Sequence, residues 1–186
     1  NGLMKLLRGI APDLPALRFS TQQADGSARP DMWGLDGGTP RVFIENKFWA
    51  GLTENQPVEY LRLLARHPTP TVLLVVVPET RLETVWREFK RRLDIPNLSG
   101  SDQAPSVNVP YIAAVDFGPT LATAPLLAIT SWAKVLLAIE AELADEPLHR
   151  NDLLQLRALC DAADDDTSAP FSSTELTNQR TPAFVL

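Results

Sequence analysis

The spacing of hydrophobic and polar residues alternates between strand-like and helix-like along the chain. Leu3 to Arg8 read as the end of a helix, broken by Gly9 and Pro12. Leu17, Phe19 and Thr21 alternate with Arg18 and Ser20, which predicts a first strand over roughly 16–23. Asp25-Gly26-Ser27 is a turn signal. Asp31–Leu35 and Arg41–Phe48 read as two further strands joined by Asp36-Gly37-Gly38-Thr39, a composition typical of hairpins. After Thr53 the period changes: Val58, Leu61, Leu64 and Ala65 mark one helical face. Thr71 to Val77 carries no polar alternation and reads as a strand buried on both faces.

Glu79 to Leu93 has the clearest helical stripe, Leu82, Val85, Trp86, Phe89 and Leu93, with Arg81, Arg87, Lys90, Arg91 and Arg92 lying off it. Residues 94–109, with Pro96, Gly100 and Pro105, read as a long surface loop, and Tyr111–Phe117 as a strand. Thr130–Ala144 and Asn151–Ala163 read as amphipathic helices, the second ending at Asp164-Asp165-Asp166, because negative charge is unfavourable at a helix C-terminus. Helix, three-strand meander, helix, strand, helix, strand and a helical C-terminal part together predict an α/β fold with a mixed sheet. The expected division is a core over residues 1–125 and a helical extension over 126–186 packed on it as one domain.

With 186 residues and 45% hydrophobic content, one sizeable core is expected. No apolar run reaches the roughly 18 residues a membrane span needs, so no membrane partner is expected. The start, Asn-Gly, and the end, Phe184-Val185-Leu186, suggest a piece of a longer protein whose flanks contact a partner domain or subunit. The single Cys160, in helical register with Leu156 and Leu159, reads as a core thiol of a cytoplasmic protein. Charge is uneven: residues 1–100 carry 13 Lys and Arg against 11 Asp and Glu, and residues 101–186 carry 4 against 12. The first half therefore tolerates a polyanion better than the net charge of −6 suggests.

That half also holds the candidate chemistry. Glu45 and Lys47 are two apart on a predicted strand and share a face, interrupting the apolar run of Val42, Ile44 and Phe48. Such residues are rarely buried unless paired or used. Asp31 joins them only under one condition. A tight turn at Gly37-Gly38 pairs Asp31 with Ile44 and puts it on the wrong face. A three-residue loop, a bulge or a splayed end at Pro30 brings it opposite Glu45. The longer loop, bulge or splayed end is therefore expected. Asp31, Glu45 and the Asn46 carbonyl then offer hard oxygen ligands to Mg²⁺ or Mn²⁺, and Lys47 is placed to orient or deprotonate a water and to stabilise a charged transition state.

Pro30-Asp31, then Glu45-x-Lys47 after a hairpin, then Gln56-x-x-x-Tyr60 on the next helix, resembles the PD-(D/E)XK nuclease superfamily. Its restriction-endonuclease-like core runs α-β-β-β-α-β, an order matched here from Leu3 to Val77. The Gln-x-x-x-Tyr element resembles the exonuclease branch. The resemblance implies a Mg²⁺-dependent deoxyribonuclease acting on DNA in bacterial repair, recombination or defence. It makes Asp31 and Glu45 metal ligands and Lys47 catalytic, with Gln56 and Tyr60 positioning the metal site or the nucleic acid. Many members carry a further acidic residue on the first helix, whereas residues 1–12 here contain none.

Each candidate has a plainer alternative. Asp31, Glu45 and Lys47 can form an ordinary cross-strand ion pair, and the nuclease fold can serve as a catalytically silent binding module. Thr53-x-x-Gln56 is also a capping box, and Tyr60 a core residue. Arg87 and Arg91, at i and i+4, can meet phosphates or simply form a solvated face. Trp33 and Trp49 can stack on bases, but core packing is the better reading. His67 and His149 lack the spacing of a ligand pair. The cluster Asp161, Asp164, Asp165 and Asp166 reads as a solvated helix end rather than a Ca²⁺ site.

Overall fold

The computed structural model describes residues 2–21, 29–47, 57–93, 108–117, 123–143 and 147–168. The chain runs α1 (Gly2–Ile10), β1 (Arg18–Thr21), β2 (Met32–Asp36), β3 (Thr39–Asn46), α2 (Val58–Leu64) and β4 (Val72–Val77). A 3-10 turn at Glu79–Arg81 leads into α3 (Leu82–Leu93), followed by β5 (Tyr111–Ala114), β6 (Leu126–Ser131), α4 (Trp132–Leu143) and α5 (Pro147–Ser168). The strands form one mixed sheet in the order β1-β2-β3-β4-β6-β5. β3, β4 and β6 are parallel neighbours, and the pairs β1/β2, β2/β3 and β5/β6 are antiparallel. The expected mixed α/β architecture is present.

Side-chain alternation along the strands divides the core in two. On one face Trp33, Phe43, Leu73, Val75, Leu127 and Ile129 pack under α2 and α3, with Leu61, Leu64, Val85 and Phe89 pointing down. On the other, Val42, Ile44, Val72, Leu74 and Ala128 pack under α1 and α4 through Leu6, Leu7, Ile10, Val135 and Ala138. β4 sits between both layers, and all six of its residues are buried, as its unbroken apolar run requires. α1 and α4 approach closely at Gly2, where a Cβ would fall 2.5 Å from the Ala138 carbonyl oxygen.

The β2–β3 hairpin meets the register condition by means of a bulge. Gly37 and Gly38 form a tight turn, both at positive φ (55° and 92°), with Asp36 opposite Thr39. Leu35 then pairs with Pro40, but Gly34 pairs with Val42, so Arg41 is the extra residue. Arg41 is held by Asp36 at 3.1 Å and by the Pro68 carbonyl. Beyond the bulge Trp33 faces Phe43 and Met32 faces Ile44. Continuing the ladder by one step brings Asp31 opposite Glu45.

Three expectations change. Residues 126–131 are not part of a helical extension: they form β6, an interior strand, and α4 belongs to the layer that covers the sheet. Burial on both faces leaves Leu126-Leu127-Ala128-Ile129 without alternation, and so short a Leu/Ala run is not told from a helix by periodicity. The helix expected to end at Asp164 continues to Ser168. The dipole penalty is only about 0.3–1 kcal/mol per charge, too small to fix a helix end alone. Cys160 is buried as expected, but its companions Leu156 and Leu159 are exposed. The expected turn at Asp25-Gly26-Ser27 and most of the 94–109 loop lie outside the described residues.

Candidate functional site

β3 carries Phe43 and Glu45 toward the α2/α3 face. The ladder persists past its last residue, since the Lys47 amide donates to the Val76 carbonyl at 2.9 Å. Lys47 is therefore held at the carboxyl edge of the parallel strands. Its Nζ lies 2.8 Å from Glu45 Oε1, and the two side chains are only 12% and 7% exposed. Asp31 closes the group: its Oδ2 accepts the Asn46 amide at 2.7 Å, while its own backbone N–H donates to Glu45. Two carboxylates and an ammonium from the two strands of one hairpin thus converge. Asn46 lies between Glu45 and Lys47, tied to Asp31 through its amide.

The electrostatics of Glu45 reflect this crowding. Burial is the largest influence and raises its pKa. The hydrogen bond and charge of Lys47 pull it down, the Asp31 charge pushes it up, and the Asp31 backbone donor lowers it again. The net direction is upward: Lys47 does not fully compensate the cost of desolvating a carboxylate beside a second one. A divalent cation between Asp31 and Glu45 would relieve exactly that cost. Two carboxylate side chains are a hard-oxygen donor set of the kind that suits Mg²⁺ or Mn²⁺. No group of three or more His, Cys, Asp or Glu side chains arranged for a metal occurs among the described residues.

Trp33 and Phe43 form the layer beside the site, with ring centroids 4.5 Å apart. Tyr60 packs edge-on against Phe43 and is 4% exposed, so its ring offers almost no surface to a base. It is a core residue beneath the site, and Trp33 is likewise core. Gln56 and Trp49 lie outside the described residues. Arg87 and Arg91 are exposed on α3, and their described partners are Glu83 and Glu88 rather than the Asp31–Lys47 group.

The structure adds a cluster that sequence spacing did not indicate. β4 and β6 end at the same edge as β3, and just past them Lys134 Nζ lies 2.5 Å from Glu79 Oε1. Ser131 accepts the Lys134 amide at 3.3 Å, capping α4. Burial works to raise the Glu79 pKa, but hydrogen bonds from Lys134 and Ser131 outweigh it and the net direction is down. Ser131 just before an apolar helix is readable as a cap. The Glu79–Lys134 pair, 55 residues apart, depends on β6, which was not foreseen.

No helix among the described residues is long and apolar enough to cross a membrane. No protein-family model, no curated protein and no solved structure matches the chain.

Proposed function

We propose that this chain is a metal-dependent nuclease that hydrolyses DNA phosphodiester bonds at the Asp31–Glu45–Lys47 group. One observation carries the reading: the Arg41 bulge brings Asp31 into contact with the Glu45-Asn46 segment, next to a buried Glu45–Lys47 pair. An ordinary surface hairpin has no reason to bury such a pair, since desolvation costs more than an exposed pair returns.

In this reading Asp31 and Glu45 would hold Mg²⁺ or Mn²⁺, with the Asn46 carbonyl as a further oxygen donor; bound there, the ion would lower the pKa of a water and offset charge on the phosphoryl oxygens. Lys47 orients the attacking water through its ammonium and stabilises the negative charge developing on the phosphoryl oxygens. Asp31, anchored by the Asn46 amide, fixes the approach of the two strands and so the carboxylate separation. The low exposure of Glu45 and Lys47 strengthens each of these electrostatic interactions relative to water.

The test is cleavage of linear, circular and single-stranded DNA with Mg²⁺ or Mn²⁺, with Glu45→Ala and Lys47→Ala as controls. Metal-dependent cleavage that falls by on the order of 10²–10⁴ in either variant is the expected result. Absence of cleavage of all three substrates by the wild-type protein, or equal cleavage by Lys47→Ala, overturns the reading in favour of a catalytically silent binding module.

A further inference from the structure

The Glu79–Ser131–Lys134 cluster lies at the same carboxyl edge as the Asp31–Glu45–Lys47 group, on the other side of the end of β4. Asn46 pairs with Val76 and Val77 with Ser131, so one further step along β3 sets Lys47, Val77 and Ser131 on a single rung. Alternation turns these three side chains to the α2/α3 face, the face of Phe43, Val75 and Ile129. Lys47 and Ser131 are thus two strand spacings apart, roughly 10 Å, with β4 between them.

The end of β4 is tied on both sides. On one side the Val76 carbonyl accepts the Lys47 amide at 2.9 Å, a bond made just beyond Asn46, the last residue of β3. On the other, the chain passes through Pro78 to Glu79, whose carboxylate accepts hydrogen bonds from Lys134 Nζ at 2.5 Å and from the Ser131 hydroxyl. Ser131 is fully buried, and its hydroxyl both donates to Glu79 and accepts the Lys134 amide. Element ends open most easily, and this clamp follows directly on Val77, the last residue of β4. The donors outweigh the burial of Glu79, so the pairing favours the closed edge, whereas Lys47 does not fully offset the burial of Glu45.

Resting on the nuclease reading above, we infer that Glu79 and Lys134 are positioning residues for Lys47. By fastening the end of β4 to β6 and α4, they hold in place the carbonyl that fixes the Lys47 backbone. They act through the β4 backbone and need no contact with DNA. α4 carries a matched pair near its other end, where Glu142 binds Lys5 at 3.0 Å, about 12 Å along the helix from Lys134.

Hydrogen exchange of the Lys47 amide, followed by NMR without metal or DNA, tests the hold itself, and steady-state cleavage of linear DNA with Mg²⁺ tests its consequence. Lys134→Met is expected to speed exchange at Lys47 several-fold relative to amides in the middle of β4. It is also expected to lower kcat several-fold with KM unchanged. Lys134→Arg, which keeps the cation, restores both. Lys5→Met removes an ion pair from the same helix and is expected to change neither. Unchanged exchange at Lys47 in Lys134→Met, or an equal rise in Lys5→Met, overturns the inference whether or not the protein cleaves DNA. A selective rise in exchange with kcat unaltered overturns the positioning role and leaves the nuclease reading standing. A selective rise with no cleavage by the wild-type protein overturns the nuclease reading and leaves the hold on Lys47 established.

Discussion

Glu45 at the end of β3 and Glu88 on α3 each sit within 3 Å of basic side chains, yet their carboxyls move in opposite directions. Glu88 accepts from Arg91 at 2.7 Å and from Arg92 at 2.6 Å, and these partners pull its pKa down to about 2. Glu45 has Lys47 at 2.8 Å and is nonetheless raised, because burial is its leading influence and Asp31 adds a like charge. The contrast separates two uses of an ion pair. On α3 Glu88 and Arg92 are themselves only 21% and 15% exposed, and there two arginines share one carboxylate and outweigh its partial burial. At the hairpin the fold spends stability to hold a carboxylate out of water beside another, which is where functional groups are sought.

The sharpest way to break the contrast is to remove what creates it. Asp31→Ala takes away the second carboxylate and the acceptor of the Asn46 amide, leaving Glu45 beside Lys47 without a like charge. Loss of metal-dependent cleavage is expected, and the upward push that the Asp31 charge exerts on Glu45 disappears. Deleting Arg41 is the matching control: it removes the bulge but leaves Gly34 opposite Val42 and Trp33 opposite Phe43, so Asp31 keeps its place opposite Glu45 and cleavage is expected to survive. A cleavage assay on both variants checks it; unaltered activity in Asp31→Ala would show that Asp31 is not needed opposite Glu45.

The pair itself comes next in size. Lys47→Met leaves Glu45 buried without its cation, a change worth about 3–5 kcal/mol when the carboxylate stays charged. Adding Glu45→Gln is expected to recover most of that, since the double replacement leaves no orphaned charge. A double-mutant cycle by chemical denaturation measures the coupling. A coupling as small as that of Glu88 with Arg92 would place both pairs in the same class.

What could be read in advance follows from the range of the interactions involved. Glu45 and Lys47 are two apart on a strand with period-two burial, so their shared face was legible from spacing. Even the need for a bulge or longer loop followed from counting residues between Asp31 and Glu45. Its location was not legible: Arg41 is held by Asp36 and by the Pro68 carbonyl, 27 residues away. β6 was missed because Leu126-Leu127-Ala128 lacks the β-branched residues that made the equally buried β4 readable as a strand, and the Glu79–Lys134 pair was missed with it. Tyr60 kept two readings because one helical turn from Gln56 is also the spacing of a core stripe, and only its contact with Phe43 decides for packing.

The smallest effect tests the α3 side of the contrast. Glu88 is depressed in the folded chain, so its pairing with Arg91 and Arg92 contributes stability above the ordinary carboxylate pKa. That contribution is lost as pH falls from about 4.5 toward about 2. Glu88→Gln abolishes both charge pairs and is expected to cost on the order of 1–2 kcal/mol near neutral pH, less than Lys47→Met. It should also flatten the acid limb of the stability profile over that window, and salt should shrink the neutral-pH difference by screening. Urea midpoints of both proteins across the acid range measure it. A loss as large as that of Lys47→Met, or one indifferent to salt, would mean that α3 holds its charges as the hairpin does, leaving burial unable to tell a functional carboxylate from a structural one.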